Sequence, residues 1–269
     1  MVPISPRSPN ADLVDRVVSR ERPSSHPSPM ARSLERFDVI GRAFPHSRAD
    51  TRRTLERSGA IRTFSAGQAI VHQGDESDLA LVLDGHVAIR RITVGGRQLI
   101  VRIVTRGGLA GILTLTGRPA SGDAIALSPS VAVVWSGEDV RTAAGTDSGL
   151  AVDILDHVLA TFEQTVERLD GMLYQSALRR VARMLHDHAD LFFAEGPVLT
   201  RSHLPMLVGT SREMTGRVLR ALEARQLVAR VGRDRLDLLD PVGLAEAAES
   251  ESIEPVLSAA STTRPSSAA

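Results

Sequence analysis

The sequence predicts an α+β fold: an N-terminal β-roll or jelly roll, one long helix, and a small C-terminal unit of helices and a hairpin. Three observations carry that prediction. Between about residues 60 and 140, short runs of alternating apolar residues break at glycine turns. From Gly149 to Leu173, apolar residues recur at three- and four-residue steps. Beyond Tyr174, amphipathic helical segments, a glycine turn and two short alternating runs follow closely.

Composition limits what such a fold can do. The chain has 269 residues, with 32 basic and 32 acidic side chains, and every basic one is arginine. There is no cysteine, which excludes disulfides, iron–sulfur clusters and thiolate zinc sites. No apolar run approaches the ~18 residues that would cross a membrane, and the N-terminus lacks a hydrophobic signal core. A soluble, cytoplasmic protein is expected. Residues 1–35 are rich in Pro, Ser and Arg without apolar periodicity, and 243–269 end alike, which predicts a disordered arm and a disordered tail.

The β-roll is expected over 36–145, after a short helical lead-in. Leu81, Leu83, Val87, Ile89, Leu99, Val101 and Ile103 recur at even spacing, as in half-buried strands. Turn signals at Gly74-Asp75, Asp84-Gly85 and Gly95-Gly96 divide the runs. The long helix is expected over 146–175. Its stripe is Ala151, Ile154/Leu155, Val158/Leu159, Phe162, Val166 and Leu169, with Asp153, Glu163, Glu167 and Arg168 between. A stripe of this length between two domains fits pairing with its twin in a homodimer better than packing on its own domain.

The last unit, 176–242, begins with a helix carrying Leu178, Val181, Ala182 and Leu185. A short helix with Leu204, Leu207 and Val208 then stops at Gly209. Pro205 costs that helix nothing if Ser202 caps it, because proline then falls in the first turn. Thr210 or Ser211 can cap the next helix, which buries Met214, Val218 and Ala221/Leu222. Glu213, Arg217 and Arg220 fall on another face, with Arg212 beside them. The runs 227–231 and 235–239 alternate about Gly-Arg-Asp as a small wing would. Helix, glycine turn, helix and hairpin make the pattern of a winged helix-turn-helix.

The residue types suit that motif. Arginine presents paired donors to guanine O6 and N7, and a glutamate accepts from cytosine N4. Thr210, Ser211 and the helix N-terminus offer donors to a phosphate oxygen. From Ser176 to Leu239 the chain holds 11 arginines against 7 acids, a local +4 within a neutral whole. Glu213 and Arg217 alone would be an ordinary surface ion pair. With the turn, the wing and Arg212, the reading is double-stranded DNA recognition.

These features resemble the Crp/Fnr superfamily of bacterial transcription regulators over roughly Phe37 to Leu244. The marks are "FSAGQAIVHQGD" and "LVLDGHVAI" in the roll and "VGTSREMTGRVLRALEARQLV" in the reader. The resemblance implies a non-enzymatic activator or repressor, homodimeric on a palindromic operator, with RNA polymerase as a further partner. It places the base-reading roles on Arg212, Glu213 and Arg217, a trio like that of the branch reading TGTGA-type half-sites.

The effector site departs from the family pattern. The resemblance places it at Gly111, Ile112, Leu113, Arg118, Ser121 and, on the long helix, Thr165. Ile112 stands where the cyclic-nucleotide branch has a ribose-binding glutamate. Ala120-Ser121 stands where it has Arg-Ser, with Arg118 two residues early. Burying a phosphate without a cation costs several kcal/mol, so a conventional cyclic-nucleotide site is disfavoured unless the loop brings Arg118 in. The effector is left unidentified and no cofactor is assigned. No metal is expected: His72, His86 and His157 read as surface or core histidines, and His186 and His188 do not share a helical face. Two rival classes remain. A nucleotide-sensing subunit acting on a protein partner would leave the reader's arginines idle. A cupin-type enzyme would need clustered histidines, where His72 and His86 stand 14 residues apart.

Overall fold

The computed structural model describes residues 38–76 and 78–250, so the expected arm and most of the expected tail lie outside the described residues. These form two compact units. One holds the residues up to Gln164 together with Ala194–Leu199; the other holds Thr165–Phe193 and the residues from Thr200 on.

In the first unit, a helical turn over 38–43 leads to α1 (Ala49–Ser58). Eight strands follow: β1 (Ala60–Phe64), β2 (Ala69–Val71), β3 (Leu79–Asp84), β4 (Val87–Ile92), β5 (Gln98–Val104), β6 (Leu109–Ala110), β7 (Asp123–Ala126) and β8 (Ser130–Trp135). A 3₁₀ turn over Ile112–Thr116 separates β6 from β7. The strands make two antiparallel four-stranded sheets, ordered β1-β8-β3-β6 and β2-β7-β4-β5. Helix α2 (Gly137–Thr146) comes next, capped by Ser136 accepting from the Asp139 N–H at 3.1 Å. The long α3 (Ser148–Tyr174) starts here and enters the second unit at Thr165.

The evenly spaced apolar residues belong to two layers. Ala80, Val82, Val87, Val104, Ala124, Ala126 and Ala132 fill the space between the sheets. Leu79, Leu81 and Leu83 point the other way, into a cluster with Ile40, Phe44, Leu55, Trp135, Val140 and Leu150 from the helices. Strand β3 is therefore buried on both faces except at Asp84. Trp135 closes that layer, donating its indole N–H to the Leu55 carbonyl at 2.7 Å with its ring edge-on to Phe44.

On β5 the expected row has the wrong phase. Ile100 and Val104 are buried, while Leu99, Val101 and Ile103 are half-buried. The register slips here: Ile89 pairs with Arg102 but Arg90 with Ile100, leaving Val101 as an extra residue. A bulge of one residue turns the following side chains to the opposite face. Directly paired residues share a face, so Arg102 takes an inward-facing position opposite Ile89 and two residues before Val104.

The second unit follows the end of α3 with α4 (Ala177–Asp187), α5 (Ala189–Phe192), a 3₁₀ turn (Arg201–His203), α6 (Leu204–Val208) and α7 (Arg212–Ala224). The hairpin β9 (Val228–Val231) and β10 (Arg235–Leu238) and then α8 (Pro241–Glu249) complete it. Its core joins Val181, Ala182 and Leu185 of α4 to Leu204, Leu207, Val218, Leu219, Leu222, Leu227, Val228 and Leu236.

Helix α8 corrects the expectation of a disordered tail from residue 243. Asp240 caps it through the Gly243 N–H at 3.0 Å, and Pro241 takes the first turn, where its missing donor costs nothing. Leu244, Ala247 and Ala248 are buried, and α8 packs along α4. Ser202 is not the cap of the first reader helix. A 3₁₀ turn capped at Thr200, whose N–H donates to His203 Nδ1 at 3.0 Å, leads into it; His203 takes the cap position of α6 without a side-chain bond, and Pro205 falls in the first turn.

Candidate nucleic-acid interface and effector site

The reader is built around one three-residue turn. Gly209 ends α6 in the left-handed region at φ 66°, which glycine adopts without strain. Ser211 then caps α7, accepting from the Met214 N–H at 3.1 Å, and its carbonyl accepts from the Thr215 N–H and hydroxyl at 3.0 Å. Thr210 is half-buried and donates its N–H to the Pro205 carbonyl at 3.1 Å.

Helix α7 buries Thr215, Val218, Leu219 and Leu222. The expected inner face is thus rotated slightly: Met214 and Ala221 are only half-buried, while Thr215 and Leu219 are fully inside. Ser211, Arg212, Glu213, Arg217 and Arg220 are exposed, with Glu213, Arg217 and Arg220 on the side away from the buried residues. Glu213 and Arg217 stand 3.3 Å apart as an i,i+4 pair. The Glu223 carboxylate accepts from Arg230 through both its backbone N–H (3.0 Å) and Nε (2.6 Å), tying the hairpin to the end of α7. Arg230, Arg233 and Arg235 extend the exposed cationic surface over that hairpin.

Two arginines that sequence reasoning passed over hold α6 in place. Arg168 donates to the Leu207 carbonyl, and Arg180 Nε donates to that of Val208 at 3.2 Å. Both satisfy carbonyls at a helix C-terminus, where positive charge is favoured. Burial pushes the Arg168 guanidinium down to about 10.

At the effector position, the nominated residues of the first unit, Gly111, Ile112, Leu113, Arg118 and Ser121, do not make a buried polar cluster. Gly111 has φ 81°, and a side chain there would meet the Asp78 carbonyl oxygen at 2.3 Å, so the glycine is a packing requirement. Ile112 packs on the helix-side apolar cluster, and Leu113 is half-buried. Ala120 is buried, its N–H on the Asp75 carbonyl and its own carbonyl accepting from Gly74. Arg118 and Ser121 are exposed on that loop, and Thr165 is exposed on α3. Arg118 makes no hydrogen bond or ion pair among the described residues. The polar group on the inner side is Arg102. Its NH1 donates to Thr161 Oγ1 at 2.8 Å and its NH2 to the Leu109 carbonyl at 2.7 Å.

A second missed group is Asp153, expected on the solvent side of α3 but buried. Its carboxylate accepts from the backbone N–H groups of His46 (3.0 Å) and Ser47 (2.9 Å), and Oδ1 lies 2.7 Å from His46 Nδ1. Asp156 completes a group whose ligand atoms lie within 4.8 Å of one another. With both Asp153 oxygens already engaged, the arrangement anchors the chain segment before α1. His157 holds that segment as well, its Nε2 donating to the Ala43 carbonyl at 3.0 Å.

Residues 61–147 match the cyclic nucleotide-binding domain model, and residues 179–247 match the Crp-like helix-turn-helix domain model. The transcriptional regulator SdrP of Thermus thermophilus is 30% identical over 200 residues, covering 70% of this chain and 94% of that protein. The chain belongs to the Crp/Fnr superfamily of transcription regulators. The cAMP-activated global regulator Vfr of Pseudomonas aeruginosa is 25% identical over 182 residues, with 62% of this chain and 84% of Vfr covered. Among solved structures, a CRP/FNR-family regulator from Thermus thermophilus superposes with a TM-score of 0.63 at 24% identity, over 72% of this chain and all of that one. This Crp/Fnr chain is accordingly a DNA-binding transcription regulator with a cyclic nucleotide-binding fold. Among the described residues, no helix is long and apolar enough to cross a membrane.

Proposed function

We propose that this Crp/Fnr regulator acts as a homodimer on a palindromic, TGTGA-like operator and is controlled by an effector at its β-roll, without enzymatic activity. Arg212, Glu213 and Arg217 read bases, while Thr210, Ser211 and Arg220 hold the phosphate backbone. The single observation that carries this reading is the face of α7. Its apolar side closes the core of its unit, and the guanidinium groups and one carboxylate face solvent at the capped N-terminal end. Dimerisation is supported by α3, where Val152, Leu155, Leu159, Phe162, Val166, Leu169 and Leu173 are exposed at alternating steps of three and four. That spacing is the seam of a two-stranded coil, and an apolar strip of this length is normally covered. The half-sites then lie about one DNA turn apart. RNA polymerase is the expected further partner in the cytoplasm.

Selection of bound DNA from a random pool, with and without cyclic nucleotides, tests the reading directly. A two-fold consensus with TGTGA-like halves is expected. Recovery of sequences without two-fold symmetry would refute it.

A further inference from the structure

The loop that should hold a phosphate carries Ala120 where the family pattern has its arginine. Arg118 is exposed and Ala120 is buried and pinned by backbone bonds. A cation nevertheless reaches the same region from another strand. Arg102 takes an inward-facing position on β5 and bonds the Leu109 carbonyl, two residues before Gly111. Its other terminal nitrogen bonds Thr161, one helical turn before Thr165 on α3. Within the first unit, the guanidinium therefore bridges the strand end that leads to Gly111 and the part of α3 that carries Thr161.

Its partners there are neutral. Among the described residues no carboxylate pairs with Arg102, and burial lowers its pKa with no acidic group opposing the shift. A guanidinium has five N–H donors, and two bonds leave the rest of the fork available. A half-buried cation without a counter-charge is costly until an anion meets it. The planar fork matches a phosphoryl group bidentately. Since Ile112 offers no acceptor for a sugar hydroxyl, the anionic group dominates recognition.

We propose that Arg102 is the anion-holding residue of the β-roll site, and that the effector is a small phosphate-bearing molecule. This rests on the reading of the β-roll as an effector site. Calorimetric titration of the full chain with inorganic phosphate, cyclic AMP and adenosine tests it and separates a free anion from a nucleotide. The parent is expected to bind at least one phosphate probe and not adenosine, and Arg102→Gln to weaken that binding roughly tenfold or more. Arg141→Ala, which removes an exposed cation of α2 outside both sites, should leave it unchanged. If Arg102→Gln shows no cooperative melting, Thr161→Val and Arg102→Lys carry the comparison, with a loss of about threefold or more expected in each.

No phosphate binding by the parent, or equal binding by parent and variants, overturns the proposal. DNA affinity measured alongside separates the two readings. Arg102-dependent phosphate binding without any change in DNA affinity upholds the assignment and refutes effector control. A ligand-dependent change in DNA affinity that survives Arg102→Gln does the reverse.

Discussion

Arg217 and Glu213 occupy each other on the free surface of α7, 3.3 Å apart and both exposed. An exposed i,i+4 pair contributes only a few tenths of a kcal/mol, so folding does not require it. On DNA the same forks can turn to base edges. Arg217→Ala should therefore melt like the parent but lose about 1–3 kcal/mol of specific DNA affinity and relax base choice at one position. Fluorescence anisotropy with matched and substituted operators at one salt concentration checks both. Their exposure was legible because a capped helix start and a glycine turn fix which face is free. Arg102 was not, since nothing in its strand's alternation announces a bulge at Val101. Asp153 was hidden likewise, as its partners lie more than a hundred residues away. Asp147 has a similar anchoring role at the start of α3. The Thr51 hydroxyl, the Arg48 N–H and the Gly149 N–H together hold its carboxyl down at about 2, against desolvation. A depressed carboxylate contributes stability above its unfolded value of ~3.9 and loses it as pH falls toward the folded value. Asp147→Asn should lower the melting temperature above about pH 4 and flatten its dependence between about pH 4 and 2. Circular dichroism melts across that range decide it.

Among the elements, β3 and α8 show two ways a pattern can mislead. Alternation implies one wet face, but β3 is covered by the opposite sheet on one side and by helices on the other. The even spacing thus marked a strand correctly without saying which layer each residue joins. Helix α8 is short and rich in alanine, so its apolar side blends with the composition of the tail that follows. The usable signals were Asp240 and Pro241, a cap and a first-turn proline in sequence. Leu244 is 1% exposed against α4, and Leu244→Ala should cost about 2–5 kcal/mol. Urea unfolding of the full chain would show it, and an unchanged midpoint would mean that α8 adds nothing to the reader's core. Gln226 marks another element boundary: at φ 57° it turns the chain out of α7 toward β9. That conformation suits glycine, so Gln226→Gly should raise stability by about 0.5–1 kcal/mol.

For the whole molecule, the sequence disclosed a β-roll, a long helix and a winged reader because each has its own period: two, three to four, and helix–turn–hairpin. Its electrical neutrality disclosed nothing, being an average over a cationic reader and a more acidic remainder. The proposed dimer rests on α3, where Phe162 and Leu173 are each 63% exposed. Phe162→Glu places a charge in the proposed seam, where burying it without a partner costs several kcal/mol. Sedimentation velocity should find the parent dimeric and the variant shifted to monomer at micromolar concentration. A dimeric variant with parental DNA affinity would place the interface elsewhere.

The seven-residue repeat from Val152 to Leu173 also fixes a handedness. A straight helix turns once in 3.6 residues, and this strip asks for 3.5, a mismatch of roughly 20° in each repeat. In the proposed dimer the two rods must wind leftward around each other to keep the strip covered. Slackening that winding at one end would then reach the other as torque about the common axis, and the effector control proposed for this chain would travel down the rod as a twist.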